Sequence, residues 1–338
     1  MKKRFLPISV LLPLLGGLVA ALFLGSFLLG RYPILPGQVA EILASRFIHL
    51  PQSWPDTMET VVLKIRLPRI AAALLVGGAL ASSGAAYQSL FKNPLVSPAI
   101  LGVSAGAGLG AALAMLLSLP WFGVQAMAFG FGLAAVACTL SISKIFSTGA
   151  MTVLVLAGLV VSAFCEALIS TAKYVADPID KLPSITFWLM GGLARVGPRD
   201  VTLAAFPICI SFIVLYLVRW QVNVLGLGEE GALALGVDSR RIKIIVILAT
   251  TLMSAAAVSV AGVVGWVGLL IPHIARMLVG PNFQVLLPVS LLLGGGYLLL
   301  VDDLVRSMNV EMPLGILTAI IGAPFFVFVM TRVRRRWA

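Results

Sequence analysis

The sequence predicts an all-α membrane protein with about ten transmembrane helices, and three observations support this prediction. Of its 338 residues, 60% are hydrophobic and only 11% are charged, whereas soluble domains carry about 25% charged residues. The mean hydropathy is +1.08. Apolar runs of about 20 residues, the length that an α-helix needs to cross a bilayer, recur along the chain. We therefore expect a single transmembrane domain, residues 1–338, in a lipid bilayer.

The first apolar run follows a basic end, MKKR, and residues 5–30 carry no charge. The apolar region of a signal peptide has about 7–15 residues, so this longer run predicts a retained helix. Cutting the remaining chain at charges and at clusters of proline, glycine and asparagine completes the assignment. The ten predicted spans are 6–30, 70–91, 98–119, 122–146, 151–173, 202–220, 244–261, 263–279, 285–302 and 313–331. A short, half-buried helix is expected at 184–196.

The basic residues indicate the orientation of these spans. With both termini in the cytoplasm, 14 Lys and Arg residues fall on the inner side, against the three acidic residues Glu229, Glu230 and Asp238. The outer side has ten basic and nine acidic residues, so the bias has the sign of the positive-inside rule. The net charge of +11 is thus explained without a nucleic-acid partner. We expect the plasma (inner) membrane of a prokaryote, with both termini cytoplasmic.

Few residues are available for metal or nucleotide chemistry. The three cysteines lie inside apolar runs without metal-ligand spacing, and only two histidines are present. The chain also lacks a GxxxxGK[ST] phosphate loop. We therefore expect no metal site, no cofactor and no ATP hydrolysis in this chain.

One polar segment, GEEGALALGVDSRRIK at 228–243, interrupts the apolar pattern. Its helix formers predict a short helix that ends at Gly236, and Asp238 or Ser239 is suited to cap a second helix leading into the next span. Connections between helices usually have about 2–8 residues. Because this segment is longer and rich in helix formers, we expect it to dock into another protein rather than to serve as an ordinary loop.

Five stretches carry a resemblance to a known family. They are IRLPRIAAALLVGGALASSGAAYQSLFKNPLVSPAILGVSAGAG (65–108), FWLMGGL (187–193), LGEEGALALGV (227–237), VGLLIPHIAR (267–276) and MPLGILTAIIGAPFF (312–326). In this order and spacing they resemble the FecCD permeases of type II ABC importers, which pass cobalamin, haem and iron-siderophore complexes. The resemblance implies a ten-helix subunit that forms a homodimer, or a heterodimer with a close relative. It also implies two ABC ATPase subunits, which bind ATP and Mg²⁺, and a substrate-binding protein outside.

The resemblance assigns candidate residues at both ends of the spans. Outside, Arg66, Arg69 and Arg306 would pair with acidic residues of the binding protein, since guanidinium groups suit carboxylates; the alternative is that they anchor beside lipid headgroups. Inside, the segment 228–243 would form the coupling helices that rest on the ATPase. The coupling residues would be Gly228, Glu229, Glu230, Ala232, Leu235, Gly236, Val237 and Arg240.

A cytoplasmic gate and a pathway lining complete the candidates. By the resemblance, Asn93 and Leu95 form one gate segment, and Met151 and Thr152 form the other, although the apolar GAMTV replaces the polar stretch usual in the family. Simple helix termination by proline also explains the first segment.

Glu166 is the one ionisable residue well inside a predicted span, where a charge is costly and usually functional. We expect it either to face the pathway, with Lys173 two turns along the same face, or to be a neutral acid hydrogen-bonded between helices. Met190, beside Trp188, is a candidate for a flexible lining, and packing explains it equally.

These observations favour the permease of an ATP-driven importer that moves a metal chelate by alternating access. An iron-siderophore is the first expectation for the cargo, with haem, cobalamin or a metal oxyanion as others. The alternative is an ion-coupled secondary transporter without an ATPase, which would need paired intramembrane carboxylates or broken helices at the midplane. An intramembrane enzyme would need a catalytic motif such as HExxH or a Ser/His pair, and none is apparent.

Overall fold

The computed structural model describes residues 7–48, 51–146, 151–308 and 310–334, and in these ranges it is helical without β-strands. A π-helical stretch, Val61–Arg66, joins α3 to α4, and a 3₁₀ turn, Pro98–Leu101, precedes α5. The helices are α1 (Ile8–Ser26), α2 (Pro36–Ala44), α3 (Asp56–Thr60), α4 (Leu67–Leu90), α5 (Val103–Leu116), α6 (Trp121–Ile145), α7 (Met151–Val175), α8 (Lys181–Leu189), α9 (Pro198–Leu217), α10 (Arg219–Leu225), α11 (Glu229–Ala234), α12 (Ser239–Ala261), α13 (Val267–Val279), α14 (Phe283–Ser307) and α15 (Leu314–Arg334).

Each predicted span corresponds to a helix, which confirms the all-α membrane fold. Within the described ranges, seven helices are long and apolar enough to cross a membrane, and Val103–Leu116, Val267–Val279 and Leu314–Val327 are shorter apolar helices. The boundaries differ in three places. The second span is part of a continuous helix from Asp56 to Leu90, the half-buried helix ends at Leu189, and α13 begins only at Val267.

The basic ends that supported the predicted orientation, residues 1–4 and 335–338, lie outside the described residues. The cytoplasmic placement of both termini therefore stays a prediction. We name the inner and outer ends of each helix by that predicted orientation.

Glycines hold the central helix α4 against its neighbours. A Cβ added at Gly77 would stand 2.2 Å from the carbonyl oxygen of Gly294 in α14, and one added at Gly84 would stand 1.8 Å from that of Gly268 in α13. Small residues allow such close approach of helix backbones where lipid provides no hydrophobic driving force between helices. The glycine-rich motifs of the sequence thus serve helix packing at α4.

A backbone junction joins α8, α12 and α15 where all three helices are interrupted. The amide of Gly192 donates to the carbonyl of Ala261 (2.8 Å), and the amide of Leu314 donates to the carbonyl of Gly191 (2.9 Å). Gly191 and Gly262 have φ of +72° and +66°, which only glycine adopts at low cost. Non-helical backbone inside a membrane protein requires such partners, so this junction ties the three segments together.

Candidate functional site

The polar insert forms a compact projection at the inner end of α12. Helix α11 lies between Gly228 (φ +96°) and Gly236 (φ +72°). Ala232 and Val237 are buried in the main core, whereas Leu233 and Leu235 are 76% and 52% exposed. The insert is therefore anchored on one side and presents apolar side chains on the other.

Polar contacts fix this projection to α12. The side chain of Asp238 accepts the amide hydrogen of Arg241 (3.1 Å), which satisfies one of the free donors at the start of a helix. Lys243 donates to a carboxylate oxygen of Glu229 (2.6 Å), and this hydrogen bond and charge lower the pKa of Glu229 from its ordinary value. The second predicted helix of the insert is thus the first turn of α12 itself, and α11 is the single separate helix between residues 228 and 238.

Two of the three arginines predicted to face a binding protein, Arg69 and Arg306, lie in a buried charge network at the outer end. Arg69 contacts both carboxylate oxygens of Asp302 at 3.0 Å and also pairs with Glu311. Arg306 pairs with Asp302 at 3.2 Å and with Asp303. This outer charge network, formed by Arg69, Arg306, Asp302, Asp303 and Glu311, links α4 to α14 and to the segment before α15.

Arg66 is engaged in a different way, because it donates to the carbonyl oxygens of Phe27 and Tyr32. Arg66, Arg69 and Arg306 are only 4%, 9% and 8% exposed. They lie inside helical segments rather than beyond the span ends, which corrects their predicted placement. Their guanidinium groups are bonded within the chain, so contact with a binding protein stays a prediction. The i,i+4 spacing of Asp302 and Arg306 was a readable signal for the pairing within α14.

The two predicted gate segments lie on neighbouring elements. The side chain of Asn93 accepts the amide hydrogen of Leu95 (2.9 Å), and Leu95 is 48% exposed. The chain then turns through Pro98–Leu101 against α7, where a Cβ at Gly158 would stand 2.2 Å from the carbonyl oxygen of Ile100.

At the start of α7, Met151 packs against the main core and Thr152 is exposed. The gate role of these residues stays a prediction.

Glu166 is exposed on the outward face of α7, and its side chain forms no ion pair with a described residue. The pairing with Lys173 is therefore not formed. Ser170, one turn further, is also exposed and donates to the carbonyl of Glu166 (2.9 Å). Met190 is half-buried, and its carbonyl accepts the amide hydrogen of Gly315 (3.0 Å), so it belongs to the backbone junction.

The sequence matches a known transport family over most of its length. The model of the FecCD transport family matches residues 18–332. The chain belongs to the FecCD transport family. As a member of this family it is a multi-pass membrane permease and not itself an enzyme.

Relatives of this FecCD-family chain are named for different cargoes. It is 38% identical over 308 residues to the molybdate import system permease MolB of Haemophilus influenzae, covering 91% of each chain. It is also 38% identical over 298 residues to a probable iron chelatin transport permease of Helicobacter pylori, covering 88% of this chain and 90% of that protein. A solved structure described as an inward-facing conformation of a metal-chelate type ABC transporter matches with a TM-score of 0.85 at 37% identity, covering 95% of this chain and 99% of that one.

An outer cavity of about 230 Å³ lies above the backbone junction of this FecCD-family chain. Its floor includes Gly191 and Gly262 of the junction, and its walls include Trp121 and Arg195. Apart from the FWLMGGL stretch, no sequence pattern indicated this cavity, because its lining comes from separate parts of the chain.

Proposed function

We propose that this chain is the membrane-spanning subunit of an ATP-driven importer and that the insert 228–243 couples it to two ATPase subunits. The observation that carries this proposal is the projection of α11, which exposes Leu233 and Leu235 on a polar segment outside the apolar spans. Exposed apolar side chains that are rimmed by polar residues are typical of protein interaction sites. Glu229, Glu230 and Arg240 are also exposed and supply such a rim.

The contacts of the insert explain how a movement of the ATPase would reach the spans. The cap at Asp238 and the ion pair between Lys243 and Glu229 hold α11 to the start of α12. Helix α12 in turn packs against α4, α6 and α9. A push on α11 would therefore displace α12 and the core helices together, because packed helices transmit strain.

A second copy of the chain would complete the pathway along α7. Residues four and 14 apart in an α-helix lie within about 40° of the same face, so Thr152, Glu166 and Ser170 share one stripe of α7, which also carries the exposed Leu156 and Leu159. All three are exposed, and a carboxylate facing lipid is costly. We propose that this stripe faces the translocation pathway between two copies. A Glu166→Cys variant should react with a water-soluble maleimide, and absence of labelling from both aqueous sides would contradict this placement.

The cargo is proposed to be a metal chelate or a metal oxyanion, delivered by an external binding protein. An iron-siderophore remains the first candidate, with haem and cobalamin as others, and the similarity to a molybdate permease supports the oxyanion. No observation favours an ion-coupled carrier. Asp302 and Asp303 are ion-paired with arginine, and Glu166 forms no ion pair with a described residue.

The coupling proposal is tested by purifying the full-length protein gently from its native membrane and identifying the chains that accompany it by mass spectrometry. We expect an ABC ATPase with the unmodified protein, and its loss from a Leu233→Asp/Leu235→Asp variant. Leu35→Asp is the matched control, because Leu35 is 68% exposed but lies on the outer side. The proposal fails if no ATPase accompanies the unmodified protein while other membrane complexes stay intact, or if both variants retain it equally.

A further inference from the structure

One face of α9 carries a strip of exposed apolar side chains along its length. Residues 4, 7 and 11 positions apart in an α-helix lie within about 60° of one another. At this spacing α9 exposes Phe206, Ile210, Ile213 and Leu217. Lipid tails are as apolar as leucine, so this strip is suited to contact with acyl chains. By the predicted orientation, its C-terminal end lies at the cytoplasmic surface.

Aromatic and basic side chains lie where this strip ends. Tyr216 and Trp220 are exposed there, and Tyr and Trp are enriched at the boundary between membrane and water. The guanidinium carbon of Arg219 lies 3.7 Å from the ring centre of Tyr216. The same guanidinium group donates to the carbonyl oxygen of Tyr216 (2.7 Å). Arg219 is therefore held at the level of the aromatic side chains.

A second cation ends an exposed apolar face on the neighbouring helix. Helix α12 packs against α9, and the short helix α10 contacts both. At the start of α12, Arg241 is exposed, and it shares a face with the exposed Ile244 and Leu248, because residues three and seven apart lie within about 60°. Neither Arg219 nor Arg241 forms an ion pair with a described residue. Both helices thus place an unbalanced positive charge beside apolar surface.

We propose that the inner ends of α9 and α12 bind an anionic phospholipid of the cytoplasmic leaflet. Arg219 and Arg241 contact its phosphate group, since the planar guanidinium matches phosphate geometry. Tyr216 and Trp220 lie beside the headgroup, and the acyl chains follow the apolar strip of α9. Anionic lipids attract basic residues next to a membrane span. We call this surface the inner lipid site, and it goes beyond the proposed import function.

The composition of this surface favours a lipid over a protein partner. An ATPase would account for the two cations, but not for aromatic side chains at the end of a lipid-facing strip. A second copy of the chain would account for the apolar strip. However, a two-fold interface places the same patch of both copies face to face, so the arginines of the two copies would repel one another. An anionic lipid satisfies the charge and the apolar strip together.

The inner lipid site adjoins the coupling insert. Helix α12 begins at Ser239, and the amide of Arg241 is bonded to the capping side chain of Asp238 (3.1 Å). A lipid held by the side chain of Arg241 therefore fixes the insert end of α12 at the membrane surface. The projection of α11 then extends beyond a helix end whose depth is set by the lipid.

The test is native mass spectrometry of the purified full-length protein in detergent. The protein is titrated with palmitoyl-oleoyl phosphatidylglycerol, which is anionic, or with phosphatidylcholine that carries the same acyl chains and no net charge. We expect phosphatidylglycerol to bind about tenfold more tightly, because each arginine near the headgroup strengthens the binding several-fold. In Arg219→Gln/Arg241→Gln this preference should fall to about twofold or less.

The matched control is Arg195→Gln/Arg199→Gln, which removes the same charge at the outer end. Arg195 and Arg199 are also exposed and also stack on aromatic rings, with guanidinium carbons 5.8 and 5.1 Å from the ring centres of Trp121 and Phe122. Because both rings belong to α6 and Arg195 lines the outer cavity, this pair does not end two lipid-facing strips. We expect the control to keep the preference for phosphatidylglycerol within about twofold of the unmodified protein.

The proposal is overturned if phosphatidylglycerol is not preferred, or if the inner and outer variants lose the preference equally. It is also overturned if the inner variant keeps the preference but its complex loses the mass of an ATPase or of a second copy, which would assign the surface to that protein. Arg241→Gln alone, at an exposed side chain, should weaken the preference about threefold and keeps the test decisive if the double variant folds poorly. The measurement needs no ATPase, so its outcome is independent of the coupling experiment.

Discussion

Removing Asp302 from the outer charge network is expected to destabilise the protein strongly. The side chain of Asp302 is fully buried and contacts both Arg69 and Arg306. An Asp302→Ala substitution would remove one of the two carboxylate partners of each guanidinium group, whose side chains are only 10% and 6% exposed, and leave Glu311 with Arg69 and Asp303 with Arg306. Losing a hydrogen-bonded partner of a buried charge is costly because the low-dielectric interior does not replace it with hydration.

The size of this effect follows from the burial of the pair. Removing one partner of a buried ion pair costs about 3–5 kcal/mol where it leaves a charge uncompensated, and this is the upper limit here because each arginine keeps one carboxylate. At an unfolding entropy of about 2.1 cal/mol/K per residue, a chain of 338 residues gains about 0.7 kcal/mol/K on unfolding. The melting temperature of Asp302→Ala should therefore fall by up to about 4–7 °C.

The assay is thermal unfolding of the full-length protein in detergent, followed by tryptophan fluorescence. Arg46→Ala is the control, because it removes the ion pair with Glu59 (2.7 Å), whose side chains are 57% and 31% exposed. Exposed pairs contribute about 0–1 kcal/mol, so its melting temperature should fall by about 1 °C or less. Adding Arg306→Ala to Asp302→Ala should cost less than the sum of the two single changes. Equal shifts for Asp302→Ala and Arg46→Ala would refute the account of the network as a buried stabilising pair.

Two further predictions concern helix packing and the insert. Gly84→Ala should lower the melting temperature or abolish folding, because its Cβ would stand 1.8 Å from the backbone oxygen of Gly268 and overpacking typically costs about 1–3 kcal/mol. The control Gly130→Ala should have no such effect, because a Cβ there would meet nothing within 4 Å. Equal melting temperatures for the two variants would contradict the close packing of α4 against α13. The pKa of Glu229 is lowered, so the stabilisation from its ion pair with Lys243 is fully present above the ordinary pKa of glutamate and is lost as the pH falls through the lowered pKa. A carboxyl ¹³C NMR titration of Glu229 should give a midpoint below the ordinary glutamate pKa, and Lys243→Met should raise that midpoint. A midpoint that Lys243→Met leaves unchanged would exclude the ion pair.

Much of the architecture could be predicted from local patterns. The apolar runs indicated ten membrane helices because the length and hydropathy of a segment are properties of consecutive residues. The insert was equally readable, since its glycines, helix formers and the capping Asp238 act within a few positions of one another. The stretches shared with the FecCD permeases indicated the family for the same reason.

The candidate site required the tertiary structure. Arg69 and its partner Asp302 are 233 positions apart, and no local pattern reports that α4 and α14 bring them together, so their docking role was inferred without knowledge of their partners. The outer cavity likewise depends on side chains from separate segments, among them Trp121 and Trp188.

The break between α12 and α13 shows the physical limit most clearly. Val263, Val264 and Trp266 are apolar, and hydropathy therefore predicted a span that begins at residue 263. Hydropathy measures how favourably side chains transfer from water to an apolar phase. It does not report which hydrogen-bond partner each backbone group finds. The amide of Gly192, from a distant segment, bonds the carbonyl of Ala261 at the end of α12, and Gly262 then adopts φ of +66°, so the helix ends before this apolar stretch.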